Sequence, residues 1–448
     1  MDRLFGTDGV RGLANKLLTP ELAFALGRAL GGRIAAARTS PGAVLVGRDP
    51  RPSSEMLEAA LCAGICSTGT HVWSVGVVPT AAVAFLTELH GAAAGAIVTA
   101  SHNPLDDNGF KFFDGAGWKF SYAEEYLLEQ IVRGEAPDEG PRPTGIGVGR
   151  VRDKSASVDA YVAHLLAGIP DLSGIRVALD CANGATAILA PEVYKSAGAG
   201  VREVASDLSG ELINEGVGAT NIEHLVNTLA EAGERGTIGL AHDGDGDRLI
   251  GVDEQRRVVD GSAQLAVFAI AAKRGGGLAH DTIVTTPMSN SGLAPSLAKH
   301  GIRVVNSEIG DRAVVARMRD AGYNLGGEHY GHIVFLDRAT TGDGILTGLR
   351  LMAEMAGNQS QLEELGGWWE PRPQVLVNVR VADRASLDRH PEITRFAEAR
   401  GRELNGSGRL LVRMSTIEPV IRVMCEADRR ESAARIASDI RELLEGAE

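Results

Sequence analysis

The 448-residue chain predicts an α/β protein of three consecutive α/β mixed-sheet domains followed by a smaller C-terminal α+β domain. Three observations predict it. The length exceeds what one hydrophobic core holds, so roughly three or four units are expected. Short β-branched apolar runs alternate with Ala- and Leu-rich stretches, as in βαβ units. Two segments, EAPDEGPRPTGIGVG (residues 135–149) and WWEPRPQ (368–374), carry proline and glycine without apolar periodicity and read as linkers.

The first unit, 1–150, has a helix-like stretch over 20–37, AVLVG (43–47), a second helix-like stretch over 54–68, HVWSVGVV (71–78) and GAIVTA (95–100). Residues 151–255 repeat the pattern with IRVALD (175–180), an Ala-rich segment from Gly184 and IGLAHDGD (238–245). Residues 256–370 repeat it again with TIVTT (282–286), IRVVN (302–306) and YNLGG (323–327). The tail, 371–448, reads strand, helix, strand, strand, helix (VLVNVRV, LDRHPEITRFAEARG, RLLVRM, VIRVMCEA, ESAARIASDIRELLE), which is the α+β pattern.

Composition narrows the function classes. An apolar fraction of 44% with 23% charged residues is ordinary for a globular protein. The start MDRLFGTDGVRG lacks the layout of a secretory signal, and nowhere do ~18 apolar residues run together, so a cytoplasmic protein with no membrane partner is expected. A net charge of −13 opposes approach to polyanions and argues against nucleic acid as a partner. An anionic ligand would therefore need arginine, lysine or a metal to reverse the field locally. The four cysteines, Cys62, Cys66, Cys181 and Cys425, lack zinc-type spacing and read as core or surface residues.

Four loops carry residues suited to chemistry. TASHNP (99–104) follows the apolar run GAIV, so Ser101 is presented at a strand end, where Asn103-Pro104 enforces a turn. DGDGDR (243–248) also follows an apolar run, and its glycines let Asp243, Asp245 and Asp247 converge on one hard cation of the magnesium or manganese type. An EF-hand calcium loop is the rival reading, with Glu254 at its twelfth position. Against it, Arg248 stands where glycine is needed, and strand-like runs flank the loop. GGEHYGH (326–332), with GDR (310–312) upstream, offers Glu328 as an acceptor for sugar hydroxyls and His332 as a proton shuttle. RMSTIEPVIR (413–422) combines Arg413, Ser415, Thr416 and Arg422 with backbone N–H groups, a composition suited to phosphate. Each stretch alone also has the composition of an ordinary solvated turn.

In this order FGTDGVRG (5–12), TASHNP, DGDGDR, GGE-x-x-GH and the R-x-S-x-x-EPxIR loop resemble the α-D-phosphohexomutase superfamily, and within it the pattern is most similar to the bacterial phosphoglucosamine mutases. The resemblance covers nearly the whole chain. It implies four domains around a central cleft, each donating a loop, and closure by rotation of the tail domain. It implies a magnesium-dependent mutase that moves phosphate between the 6- and 1-positions of a hexosamine or related sugar. Phosphorylated Ser101 and a bisphosphorylated sugar, also the activator, would carry the phosphoryl group. By the same matching, Ser101, Arg11, His102, Lys111 and His332 are the catalytic candidates, and Ser101 with the three aspartates is the metal set. Arg248, Asp311, Arg312, Glu328, Tyr330, Arg413, Ser415, Thr416 and Arg422 are the substrate-binding set. The implied partners are a small sugar phosphate and a second copy in a homodimer.

Two recognition loops depart from that pattern. The usual Arg-x-Ser-Gly-Thr-Glu-Pro is Arg413-Met414-Ser415-Thr416-Ile417-Glu418-Pro419, which lacks a glycine and a hydroxyl. A lost hydrogen bond to phosphate costs about 1.5–3 kcal/mol, unless Thr416 restores it one position early. The usual Glu-x-Ser-Gly-His is Glu328-His329-Tyr330-Gly331-His332, with a phenol in place of a small hydroxyl. Pro79-Thr80-Ala81 and Gly218-Ala219-Thr220-Asn221 are milder changes. Intact transfer loops beside altered recognition loops suggest retained mutase chemistry on a shifted substrate, such as a hexose or carbasugar phosphate. A non-catalytic sugar-phosphate-binding paralogue and a phosphatase are the other two readings.

Overall fold

The computed structural model describes residues 3–6, 8–37, 42–138, 140–382, 389–404, 408–414 and 420–447. Four sheets organise them. The first contains β1 (Val10–Leu13), β2 (Ala43–Arg48), β3 (His71–Val77), β4 (Ala94–Val98), β5 (Asp107–Asp114) and β6 (Val151–Asp153), in the order β1-β5-β4-β2-β3-β6. Its centre is parallel, and β5 and β1 close one side antiparallel. Helices Pro20–Ala37 and Pro52–Cys66 have the positions expected from their Ala/Leu-rich runs.

The second sheet holds β7 (Arg176–Asp180), β8 (Gly200–Ala205), β9 (Thr237–His242), β10 (Leu249–Val252) and β11 (Val258–Val259), ordered β11-β10-β9-β7-β8. The third holds β12 (Thr282–Thr285), β13 (Arg303–Asn306), β14 (Leu325–Gly327) and β15 (Ile333–Phe335), ordered β13-β12-β14-β15. Both are mixed, with parallel β7, β8 and β9 or β12, β13 and β14 and an antiparallel hairpin at one side. The C-terminal unit is an antiparallel sheet of β16 (Gln374–Arg380), β17 (Gly408–Met414) and β18 (Val420–Ala427), ordered β16-β18-β17, with helices Pro391–Glu403 and Arg430–Ala447.

Two strands lie past the limits expected at 150 and 255. Val151–Asp153 pairs in parallel with β3, and Val258–Val259 pairs with β10. All three residues of β6 are exposed, so the strand is held by backbone pairing and leaves no apolar signature.

One apolar cluster runs through the first three units, joining Leu45 and Phe113 to Leu179 and Leu240 and to Ile283 and Leu349. The C-terminal unit has its own cluster, including Val379, Ile393, Val423 and Ile440. Strand ends and hairpins from the first three units converge where these sheets meet. Among the described residues, no helix is long and apolar enough to cross a membrane.

Candidate active site

Ser101 sits on the turn after β4, 1% exposed, with a left-handed backbone at φ +52°. A non-glycine residue there costs on the order of 1–3 kcal/mol unless its surroundings impose the conformation. Here they do. Fully buried Arg51 donates to the carbonyls of Ser101 (3.1 Å), Asn103 (2.8 Å) and Asp107 (3.0 Å). Asn214, from the second unit, donates to the Ser101 carbonyl at 2.8 Å and to that of Asn103 at 3.1 Å. Asp49 pairs with Arg51 at 2.9 Å and accepts the Thr99 hydroxyl at 2.7 Å, and Thr99 Oγ1 accepts the Ser101 N–H at 2.9 Å.

The Ser101 hydroxyl donates to Asp243 Oδ2 at 2.7 Å. Asp243, Asp245 and Asp247 lie in the turn of the β9–β10 hairpin, all buried, with ligand oxygens within 4.8 Å of one another. Gly246, at φ +70°, makes that convergence feasible, since a Cβ there would stand 2.3 Å from the Thr186 methyl carbon. Thr80 donates to Asp245 at 2.6 Å, and Lys111 Nζ lies 2.8 Å from Asp245, 3.0 Å from Asp247 and 3.0 Å from Asp8. Burial, reinforced by Asp247 and Asp245, pushes the Asp243 carboxyl up to about 8. Burial acts the same way on Asp245, but Lys111 outweighs it and holds that carboxyl below the usual range.

Asp245 Oδ1 and Asp247 Oδ1 are buried without a hydrogen-bond partner. Clustered, unpartnered carboxylate oxygens are the donor set of a hard divalent cation, so the residues fit such an ion. Arg248 stands beside the cluster, its Nε 3.9 Å from Asp243 and 3.8 Å from Asp247. Arg11 reaches the Ala100 carbonyl at 3.3 Å and Asp8 at 2.7 Å. His102 Nδ1 lies 3.3 Å from Ser101 Oγ, and burial with Arg248 and Arg11 lowers its pKa to about 3, so the ring is neutral.

The GGEHYGH loop joins β14 to β15 and is seated on the acidic β9–β10 hairpin: Leu249 N–H donates to the Gly331 carbonyl at 3.0 Å. Gly331, at φ +89°, allows the approach, because a Cβ would lie 2.1 Å from the Leu249 carbonyl oxygen. His332 Nε2 accepts the Gly342 N–H at 3.1 Å and is 3.7 Å from Asp311, while its Nδ1 is buried without a partner. Burial, with Asp311 nearby, raises Glu328. Burial also acts to raise Asp311, yet Lys119 reverses it and the carboxyl lies at about 2. Tyr330 is 42% exposed, with Arg248 5.9 Å from its ring centre and the His329 ring 3.6 Å away.

Ser101, Arg11, His102, Lys111, the three aspartates, Arg248, Asp311, Glu328, Tyr330 and His332 are thus brought into one contiguous region. Arg312 differs: its guanidinium forms a two-point pair with Glu125 of the first unit and lies over the Tyr122 ring at 5.3 Å. Arg413 and Arg422 face each other across β17 and β18. Burial, reinforced by Arg248, Arg409 and Arg413, lowers His329 to about 3. Ser415 and Thr416 lie outside the described residues. Sequence reasoning missed Asp8, Arg51, Lys119 and Asn214, and noted Thr80 only within Pro79-Thr80-Ala81 without a role. Asp8 lies inside FGTDGVRG and Arg51 in the polar strand end GRDPRPSS (47–54), which could have flagged them. Nothing local marks Asn214.

The chain matches the models for phosphoglucomutase/phosphomannomutase alpha/beta/alpha domain I over residues 2–139, domain II over 159–256, domain III over 260–370 and the C-terminal domain over 376–443. It is 46% identical over 446 residues to phosphoglucosamine mutase of Saccharopolyspora erythraea, covering 99% of each chain, and 46% identical over 461 residues to that of Nocardia farcinica, again 99% of each. Among solved structures, a phosphoglucomutase/phosphomannomutase family protein from Burkholderia thailandensis superposes with a TM-score of 0.80 at 27% identity, covering 99% of this chain and 97% of that one. Aspergillus fumigatus N-acetylphosphoglucosamine mutase, solved with GlcNAc-6P and magnesium, shares the fold at a TM-score of 0.65 and 18% identity, covering 100% and 96%. With four domain models matched in order and full-length relatives sharing 46% of its residues, the chain belongs to the phosphoglucomutase/phosphomannomutase family.

Proposed function

We propose that the protein is a phosphosugar mutase that interconverts the 6-phosphate and 1-phosphate of a hexosamine or related sugar through phosphorylated Ser101. The observation that carries this reading is the 2.7 Å contact of Ser101 Oγ with Asp243, in a buried loop whose other two carboxylates each keep an unpartnered oxygen. Relatives named phosphoglucosamine mutase at 46% identity support the hexosamine class.

Asp243, Asp245 and Asp247 would hold magnesium together with the Ser101 phosphate. Bound there, the ion supplies the charge neutralisation that phosphoryl transfer requires. The chain's own groups do the rest. Lys111, Arg11 and Arg248 surround the transferring group as donors. The Ser101 O–P bond breaks as the O–P bond to the sugar hydroxyl forms, and His332 and Arg11 are the candidates for moving the hydroxyl proton. Glu328 accepts sugar hydroxyls. Arg413 and Arg422, with Ser415 and Thr416, take the distal phosphate; like charges facing each other across paired strands are unfavourable alone and are relieved by an anion. The bisphosphorylated sugar leaves its other phosphate on Ser101, and it also primes an unphosphorylated enzyme. A cytoplasmic homodimer is the proposed setting.

Intact mass and phosphorus NMR test the proposal. A phosphate on Ser101 and 6-to-1 isomerisation of a sugar phosphate are expected. Free phosphate without isomer would indicate a phosphatase, and binding without turnover a non-catalytic paralogue. Tyr330 favours a second reading, in which the substrate is a hexose or carbasugar phosphate. Its exposed phenol beside Arg248 occupies space on the sugar loop. Preferential turnover of glucosamine 6-phosphate across a substrate panel would refute that shift.

A further inference from the structure

We infer that Lys119 is a positioning residue of this reaction, bridging Asp8 and Asp311 and so holding the His332-bearing unit in register with the Ser101 centre. The inference rests on the proposed function. Lys119 follows β5, joined to Phe113 by an isolated bridge, and its side chain is 8% exposed. Lysine is rarely buried this far without carboxylate partners. It has two, Asp8 Oδ1 at 2.7 Å and Asp311 Oδ2 in direct contact.

Each of those carboxylates touches a different part of the site. Asp311 lies 3.7 Å from His332 Nε2. Asp8 Oδ2 pairs with Arg11 at 2.7 Å and Lys111 at 3.0 Å, and Lys111 continues to Asp245 and Asp247. One ammonium therefore closes an unbroken path of charged groups from Asp311 of the third unit, beside His332, through the first unit, to the acidic loop of the second.

A purely adhesive role is already filled elsewhere. The first and third units are also joined by Arg312 with Glu125 and by the Thr340 hydroxyl on the Gly117 carbonyl at 2.6 Å, and these reach none of the candidate catalytic groups. Burial disfavours the Lys119 ammonium, yet Asp311 and Asp8 outweigh it and raise its pKa. Without that charge, Asp8 and Asp311 face each other as like charges in a poorly solvated space and repel. Asp311 then shifts relative to His332, and Asp8 relative to Arg11 and Lys111.

Lys119→Met and Lys119→Arg in the full chain test this. The Met variant should lose about tenfold or more in kcat with KM changed far less, because a displaced group costs alignment rather than binding. The Arg variant, whose fork spans two carboxylates, should recover most of the loss. Hydrogen exchange at the Glu328 and Gly331 amides should quicken by about tenfold in the Met variant and return in the Arg variant. A Met variant with parental kcat, or one whose exchange at those amides matches the parent, overturns the inference. An inactive parent counts against the proposed function instead, and the exchange comparison still decides the role of Lys119.

Discussion

The Ser101 end and the Glu328 end of the site are built to different tolerances. Around Ser101 the carbonyls of Ser101 and Asn103 have fixed donors from Arg51 and Asn214, and each acidic residue is gripped by Lys111, Thr80, Arg248 or the serine itself. Around Glu328 the loop is more open, with Tyr330 42% exposed to solvent. The contrast teaches where change is tolerated. A strained, buried turn fails when one partner leaves, whereas an open loop accepts a new side chain and alters what binds.

The largest expected effect breaks the first end. Ser101→Ala should lower isomerisation by about 10^4-fold or more while leaving the fold intact, as checked by phosphorus NMR beside circular dichroism. Chelation comes next. Removing divalent cations should cost about 10^3-fold in rate and lower Tm, and added magnesium should restore both, since the clustered carboxylates then regain a counter-charge. Unchanged turnover in chelator would remove the metal from the account.

A third measurement concerns the scaffold behind the sugar loop. Asp343, next to the Gly342 amide that binds His332, is buried, and its carboxyl is pushed up to about 6 by burial despite bonds from Leu346 and Tyr161. The folded state then binds more protons than the unfolded state between the ordinary carboxylate range and pH 6, so stability falls as pH rises through that window. Asp343→Asn keeps an acceptor for the helix cap and should remove that slope, worth about 3 kcal/mol at most. Urea melts of both proteins at pH 4.5 and 7 would show it, and identical slopes would contradict it. The smallest effect sharpens the second end. Tyr330→Ser should shift the kcat/KM ratio between hexosamine and hexose phosphates by about tenfold, with Ser101 phosphorylation unaffected.

Much of this was legible in the chain, because the informative residues are neighbours in sequence. Alternating aspartates with glycines, a serine after an apolar run and a glycine-flanked Glu-to-His stretch are local patterns, and local patterns write themselves into short windows. The fold class was legible for the same reason, through βαβ alternation. The strand Val151–Asp153 was not, since three exposed residues held by backbone pairing carry no side-chain signal.

By itself the sequence determined which chemical groups are present and the order in which four units supply them. Only the tertiary structure decided which of those groups meet. Asn214 reaches the Ser101 carbonyl across 113 positions, Lys119 reaches Asp311 across 192, and Arg312, expected in the substrate-binding set, pairs with Glu125, 187 positions away. Such pairings depend on how separately folded sheets dock, and the charge and reach of one side chain do not reveal which distant carboxylate or carbonyl the docking will bring beside it.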